Sequence, residues 1–530
     1  MIWHIFKKDW KLLWPLVLIV AAVEFVNVSV WLSLGHFLDS LALVPILGPM
    51  QWAMFLGIAA LIIMTVHQDL VPGDRQDWLV RPVHRRDLLL EKFLFVVVAV
   101  HGPLALADLT HGLATGFPLE GSLSLALSHG AYLLLVFSLP ILGFAAMTST
   151  IVEAVGVILA IFLVYALFQL EFLRGAPLSN DSNLNWMPYA FWSVLALVQA
   201  AIVIPLQYYR RATGLARGVA LGAALLIPLP ALVSWVPAFA FQTWLSLNPA
   251  PAGPIQVAFD PDLGRRVVAP GDQDRVNSVW LPLSVSGLSP ESIVISDRAN
   301  VRIIGRDGSI LFTGRATGDP QVTDGPGDGS FHIEDFPVRT TTGGKVRTHE
   351  RITLPGNLYD LVRSRQVRVE LDYSLTLFHM EASDAIAALN GDKRTADIGW
   401  CKTKLDYNGN FVNLNCIKLG RPASCSTFVL ENTATGQKNP VSNRCSANYW
   451  PYTAYGFYPV MQPNDFRQPV RDPQGLAKYP VDGSQLAHAQ ILMKTYRPVA
   501  HFTRHLTIPD IRLGDWEAQT GQVAANTASE

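Results

Sequence analysis

Seven long apolar runs crowd the first 239 residues of this 530-residue chain and constrain its fold more than any other feature. They cover residues 12–34, about 43–66, 93–109, 125–147, 151–170, 186–208 and 219–239. A bilayer core of about 30 Å is crossed by roughly 20 mostly apolar helical residues. Residues 121–152 and 182–209 contain no Asp, Glu, Lys or Arg at all. Lipid offers backbone groups no hydrogen-bond partner, so such runs are expected to be helices. Charge divides the chain the same way, with 25 charged residues in the first 239 and 58 in the last 291. A single soluble globule has one solvent and would not divide like this. The expected fold is therefore mixed. A polytopic α-helical membrane domain of about seven spans (1–239) leads through a linker (240–255) to an all-β extracytoplasmic sandwich-like domain (256–517) and a flexible tail (518–530). The 53 aromatic residues exclude a disordered chain, and a net charge of −1 gives no support for nucleic-acid binding.

Basic residues set the expected orientation, because they stay on the cytoplasmic side. With the N-terminus inside, the inner segments carry Lys7, Lys8, Lys11, Arg75, Arg81, Arg85, Arg86, Lys92, Arg210, Arg211 and Arg217, and the short outer loops carry only Arg174. That bias predicts a multi-pass protein with a cytoplasmic N-terminus and an outer C-terminal domain. In a bacterium this means the inner membrane and the periplasm. Ahead of the first run, Trp3, Phe6, Trp10 and Trp14 recur at helical spacing. They suit either an amphipathic helix in the membrane interface or an ordinary aromatic belt. No small-x-small cleavage site follows the first run, so it is expected to remain as an uncleaved span.

All four cysteines (Cys401, Cys416, Cys425 and Cys445) fall in the second half. An even number in a region expected outside the cell points to disulfides. Tyr407-Asn408-Gly409-Asn410 is a two-residue hairpin signal that puts Cys401 opposite Cys416. The same parity gathers Cys401, Thr403, Leu405, Tyr407, Val412, Leu414 and Cys416 on one face. It also lands the cysteines on a hydrogen-bonded pair, where side chains stand farther apart. Cys425–Cys445 is the remaining pairing. Zinc is the rival, but no Cys-x-x-Cys spacing exists.

After residue 239 the periodicity becomes two. Val367, Val369, Leu371, Tyr373, Leu375 and Leu377 alternate with polar residues and predict a half-buried strand. Residues 301–304 and 310–312 flank the turn signal Arg306-Asp307-Gly308-Ser309. Residues 280–285 and 330–338 also read as strands, Gly343-Gly344 as a turn and 317–329 as a loop. Frequent turns favour a sandwich or a pair of sandwiches.

Chemistry-bearing motifs are sparse. Thr341-Thr342-Gly343-Gly344-Lys345 lacks the first glycine of a phosphate-binding loop, so the chain is not expected to hydrolyse ATP itself. No G-x-S-x-G or H-E-x-x-H occurs, and a membrane enzyme is disfavoured. His501 and His505 have metal-like spacing, but on a strand they would stand about 13 Å apart. His101, Asp108 and His111 lie near the outer end of the third span, with a structural role preferred over metal binding. Glu24 and Glu153 are ionisable residues inside or at the edge of spans, and so candidate intramembrane polar sites. For Glu24, lining a substrate path competes with pairing to another helix.

The inner loop 67–92 is the most informative segment. Its part Arg81-Pro82-Val83-His84-Arg85-Arg86-Asp87-Leu88-Leu89-Leu90-Glu91-Lys92 predicts an extended piece ended by Pro82 and a short helix from Arg85 into the third run. With Trp78 it offers a basic, partly apolar knob suited to a partner's groove. Plain positive-inside anchoring would explain the arginines but not the ordered pattern. This pattern resembles the coupling loop of permease subunits of ATP-binding-cassette transporters of the second exporter class, at Arg81, Pro82, Val83, Arg85, Leu88, Leu89 and Lys92. The resemblance covers residues 1–239. It implies a permease dimer, homomeric or heteromeric, in the lipid bilayer, working with a separate ATPase subunit that binds the ATP. Residues 67–92 would be the contact with that subunit, and the turn 149–153 a second contact. The chain departs from the family in its seventh run and its outer domain. The expected function is thus an ATP-driven exporter's permease, with no cofactor or metal of its own. The alternative is a membrane-anchored extracytoplasmic binding or sensory module without transport.

Overall fold

The computed structural model describes residues 1–34, 44–69, 84–172, 186–227, 229, 244, 250–268, 277–289, 291–315, 346–395, 399–405, 411–417, 425–436, 438–444, 461–469 and 483–520. The first half is helical: α1 (Ile2–Leu34), α2 (Val44–His67), α3 (Arg85–Ala114), α4 (Leu119–Met147), α5 (Ile151–Phe172), α6 (Trp186–Pro205) and α7 (Thr213–Leu226). Each apolar run thus contains a helix. Among the described residues only three stretches are long and apolar enough to cross a membrane, namely Arg85–Ala114, Leu119–Met147 and Phe191–Arg210, not seven. Trp52–His67 of α2, Ile151–Ala160 of α5 and Thr213–Leu226 of α7 are shorter apolar stretches among the described residues. The expected interfacial helix is not a separate element, because α1 runs unbroken past Pro15.

Three π-helical segments interrupt the regular winding: Val96–Val100 within α3, Leu134–Ser138 within α4 and Leu206–Arg210 after α6. The first two have a sequence cause. Proline lacks an N–H and crowds the carbonyl four residues before it. Pro103 therefore leaves the Ala99 carbonyl, and Pro140 the Val136 carbonyl, without a helical donor. Both carbonyls lie inside the π-segments, where a widened turn relieves the clash.

Phe6, Leu13, Val17 and Val20 of α1 pack with Ile58, Leu61 and Ile62 of α2, Phe95 and Ala99 of α3, and Leu142, Ala145 and Ala146 of α4. Small residues permit close approach. A Cβ on Gly57 would lie 3.1 Å from Val20. The outward faces stay apolar: Trp52, Leu127, Leu159, Leu221 and Leu225 are exposed.

The second half is a β domain. Its largest sheet has the order β12-β11-β14-β7-β4-β5, from β4 (Ser292–Ile304), β5 (Ile310–Arg315), β7 (Gln366–Ala387), β11 (Cys425–Asn432), β12 (Lys438–Arg444) and β14 (Ala489–Arg512). A three-stranded sheet of β1 (Gln256–Phe259), β3 (Ser278–Ser286) and β6 (Val346–Thr353) faces one end of it. Leu281, Leu283 and Ile352 there meet Val301, Val369, Leu371 and Leu375 in one apolar core. A four-stranded sheet, ordered β13-β10-β9-β8, covers the other end; its strands are β8 (Asp392–Thr395), β9 (Gly399–Leu405), β10 (Phe411–Ile417) and β13 (Met461–Pro469). Val412 and Leu414 there meet Ile386, Leu430, Ile491 and Met493 in a second core. Two sandwiches therefore share β7 and β14, which pair antiparallel through both. A short helix, α8 (Gly356–Val362), precedes β7.

Details match the sequence where local chemistry dictates them. The β4–β5 turn is closed by Asp307 Oδ1, which accepts from Ser309 N at 3.0 Å, with Gly308 at φ 81°. In the β9–β10 pair Cys401 stands opposite Cys416 and the two form a disulfide. Their Cα atoms are 4.1 Å apart, the closer of the two antiparallel spacings, which removes the parity objection. Cys401, Thr403, Val412, Leu414 and Cys416 are buried on one face. At the start of the tail, β15 (Gln519–Thr520) pairs in parallel with β2 (Val267–Val268), and residues 521–530 lie outside the described residues. Cys445, the strand 330–338, the loop 317–329 and the turn at Gly343-Gly344 lie outside the described residues.

Candidate functional site

Two polar clusters lie inside the helical half. The first is an ionic knot at the start of α3. Asp9 comes from α1, Asp69 from the turn after α2, and Glu91 and Lys92 from α3. Lys92 is only 1% exposed, and its Nζ donates to Asp9 Oδ2 at 2.5 Å and Asp69 Oδ2 at 2.6 Å, with Glu91 Oε2 at 3.3 Å. Lys8 Nζ adds a second ammonium, 2.7 Å from Asp69 Oδ1 and 3.3 Å from Asp9 Oδ1. Burial pushes the Asp69 carboxyl up, but the Lys92 and Lys8 ammoniums outweigh it and hold it below the usual carboxylate range. Asp9, Asp69 and Glu91 converge as the ligands of a hard cation would. The cation among them is the chain's own Lys92.

Above this knot the first turn of α3 carries Arg85 and Arg86 on the surface. Arg85 Nη1 donates to the Tyr209 carbonyl at 2.6 Å. Leu88 is buried and Leu89 half-buried, while Leu90 is exposed, so the expected docking helix is open to a partner at Arg85, Arg86 and Leu90. Lys92 is inside the protein and acts on that surface by positioning it. Trp78, Arg81 and Pro82 lie outside the described residues.

Glu153 belongs to the same end of the helices. Its Oε2 accepts from Ser149 N at 2.6 Å and Ser149 Oγ at 2.7 Å, while its own N–H donates to Thr150 Oγ1 at 3.1 Å. Arg217 Nη2 bonds its other oxygen at 2.6 Å and also the Met147 carbonyl at 3.0 Å. Glu153 therefore caps α5 in a variant of the Thr-x-x-Glu capping box, its carboxylate accepting from the Ser149 N–H rather than that of Thr150, and Arg217 ties α7 to it.

The second cluster is a polar seam between α3 and α4. His129 Nδ1 and Asp108 Oδ2 are 2.7 Å apart, and both side chains are buried. Toward the start of α3, His101 Nε2 bonds Ser138 Oγ at 3.0 Å. Toward its end, a Cβ on Gly112 would lie 2.5 Å from Ser122 Oγ, so the two helices nearly touch. His111 is buried beside that contact. Glu24 of α1 is 1% exposed, and Asp108 is the charged group that acts on it. His101, Asp108 and His111 thus share one helix face with Glu24 near it, but their ligand atoms do not converge as a metal site among the described residues. Sequence reasoning missed His129 and Ser138. His129 is the one imidazole in the charge-free stretch 121–152, which was the available signal.

The turn that joins α3 to α4 carries the contact with the β domain. Arg394 Nη1 lies 3.0 Å from Glu120 Oε1 and its guanidinium 5.6 Å over the Trp400 ring. A Cβ on Gly121 would meet Trp400 Cδ1 at 2.6 Å, and one on Gly116 would meet Lys402 Nζ at 3.2 Å. Trp400 and Lys402 flank the disulfide half Cys401. The β domain therefore sits at the end of α3 remote from Lys92.

In the β domain, Glu350 stands opposite Leu281 in the β3–β6 pair and is buried, and burial pushes its carboxyl up to about 8. His501 and His505 are not brought together: His501 Nδ1 bonds Thr376 Oγ1 at 2.8 Å, and His505 Nδ1 bonds Asp372 Oδ1 at 2.7 Å. Compared with family models, curated proteins and solved structures, the chain matches none.

Proposed function

We propose that the chain is the membrane-spanning permease subunit of an ATP-driven exporter, coupled to a separate ATPase through residues 67–92. The apolar outward faces of the helices support insertion in a bilayer, because patches of this kind are not left in water. In that setting all seven helices serve as spans, with the N-terminus cytoplasmic and the β domain outside. The contact of Trp400 and Arg394 with the α3–α4 turn supports this sidedness, since Arg85 and Arg86 lie at the opposite end of α3.

The knot at Lys92 is the observation that carries the coupling role. A push on the exposed first turn of α3 is passed at once to α1 and to the end of α2, because Asp9 and Asp69 share one buried ammonium. Helices joined this way move as a body, which is how a partner's closure is turned into a tilt of the spans. Two such subunits would complete the transporter.

Co-purification from native membranes tests this. An ATPase should accompany the full-length chain and be lost when Arg85 and Arg86 are both changed to Glu. Full retention after that change rejects the coupling surface and leaves the anchored binding module as the better account.

A further inference from the structure

Glu24 sets the α3–α4 seam apart from an ordinary buried hydrogen-bond pair. Among the described residues neither of its carboxylate oxygens has a hydrogen-bond partner, and the side chain is 1% exposed. Asp108 Oδ1 and the Nδ1 atoms of His101 and His111 are likewise without hydrogen bonds. Among the described residues the nearest helices bring no neutralising cation. From α2 the only titratable side chain is His67, which is tied to Ala145 and Thr148 at the inner end. From α3, Glu91 and Lys92 belong to the inner knot with Asp9. From α4 the facing group is His129, already bonded to Asp108.

A carboxylate removed from water with no hydrogen-bond partner among the described residues is costly to keep charged, and Asp108 already has the imidazole of His129. We propose that Glu24, Asp108 and His129 form a proton-binding site inside the helical unit, with Glu24 as the group that gains and loses the proton. The site rests on the membrane-spanning arrangement proposed above. Uptake forms one O–H bond on a Glu24 oxygen, release breaks it, and nothing is oxidised or reduced. The polar side chains of α3 from His101 to Thr115 cover about 21 Å of helix at 1.5 Å per residue. His111 and Thr115 lie between Asp108 and the turn beneath Trp400, so the proton is exchanged with the outer side.

Infrared difference spectroscopy tests this on the full-length protein in lipid nanodiscs, stepped between acid and alkaline pH. A carboxylic-acid carbonyl band that titrates is expected, and Glu24→Gln should remove it. Asp108→Asn and His129→Gln should keep the band and shift its midpoint. Glu350→Gln should remove only a separate band from the β domain. A Glu24→Gln spectrum identical to wild type overturns the site. So does a band abolished by sodium at constant pH, which would make a metal cation the ligand. If Glu24→Gln does not fold, an unchanged midpoint in Asp108→Asn overturns it instead. No ATPase is needed for the measurement, so its failure is distinct from loss of coupling at Arg85.

Discussion

The His101 imidazole bonds the Ser138 hydroxyl at 3.0 Å where two irregular turns meet, since His101 directly follows the π-segment of α3 and Ser138 closes that of α4. Each segment adds a residue to its turn and so re-aims the side chain after it. Ser138→Ala leaves the buried His101 nitrogen without its partner and should cost about 1–3 kcal/mol. His101→Leu combined with Ser138→Ala removes both polar groups and should recover most of that loss. Thermal denaturation of the detergent-solubilised protein reads both.

Lys92→Met should be far more damaging than a surface lysine change. It strands Asp9, Asp69 and Glu91 together without their shared ammonium, a loss of about 3–5 kcal/mol. Adding Asp9→Asn should restore part of it. Equal melting temperatures for Lys92→Met and wild type would remove the knot as a structural joint.

Glu350 makes stability depend on pH. Its folded value of about 8 lies above the ordinary 4.5, so the folded state favours the neutral acid. No stability is lost below pH 4.5; the loss grows as pH rises and levels off above about 8. At 1.36 kcal/mol per unit the full loss is about 5 kcal/mol. Denaturation of the full chain across this range should show the decline, and Glu350→Gln should flatten it.

Gly121→Leu should detach the β domain's corner from α4, because even a Cβ collides with Trp400. Faster hydrogen–deuterium exchange is expected in residues 399–405 and in the first turn of α4. Glu120→Gln, by contrast, breaks only an exposed ion pair with Arg394 and should change stability by less than about 1 kcal/mol.

Much of this was legible along the chain because the information is local. The apolar runs foretell helices, and the Asn408-Gly409 turn puts Cys401 across from Cys416. The capping role of Glu153 was also written in the sequence, as Thr150-x-x-Glu153, though its place at a span edge suggested a membrane site. The knot was hidden for a physical reason: Asp9, Asp69 and Lys92 lie far apart in sequence and meet only through packing. Pro103 and Pro140 mark the π-segments only once their helices are known to continue past them. Among the described residues, three stretches meet a span's length and hydropathy, where the sequence offers seven apolar runs.

The two longest strands have a mechanical consequence. β7 and β14 run through both sandwiches, bent at bulges but never cut, so no hinge separates one lobe from the other. Arg504 on β14 also grips the incoming chain at the carbonyls of Ala252 and Ile255. The β domain is therefore a stiff girder, clamped where the polypeptide arrives and resting on the Trp400 foothold at its far lobe. A tilt of α3 or α4 would rock it whole.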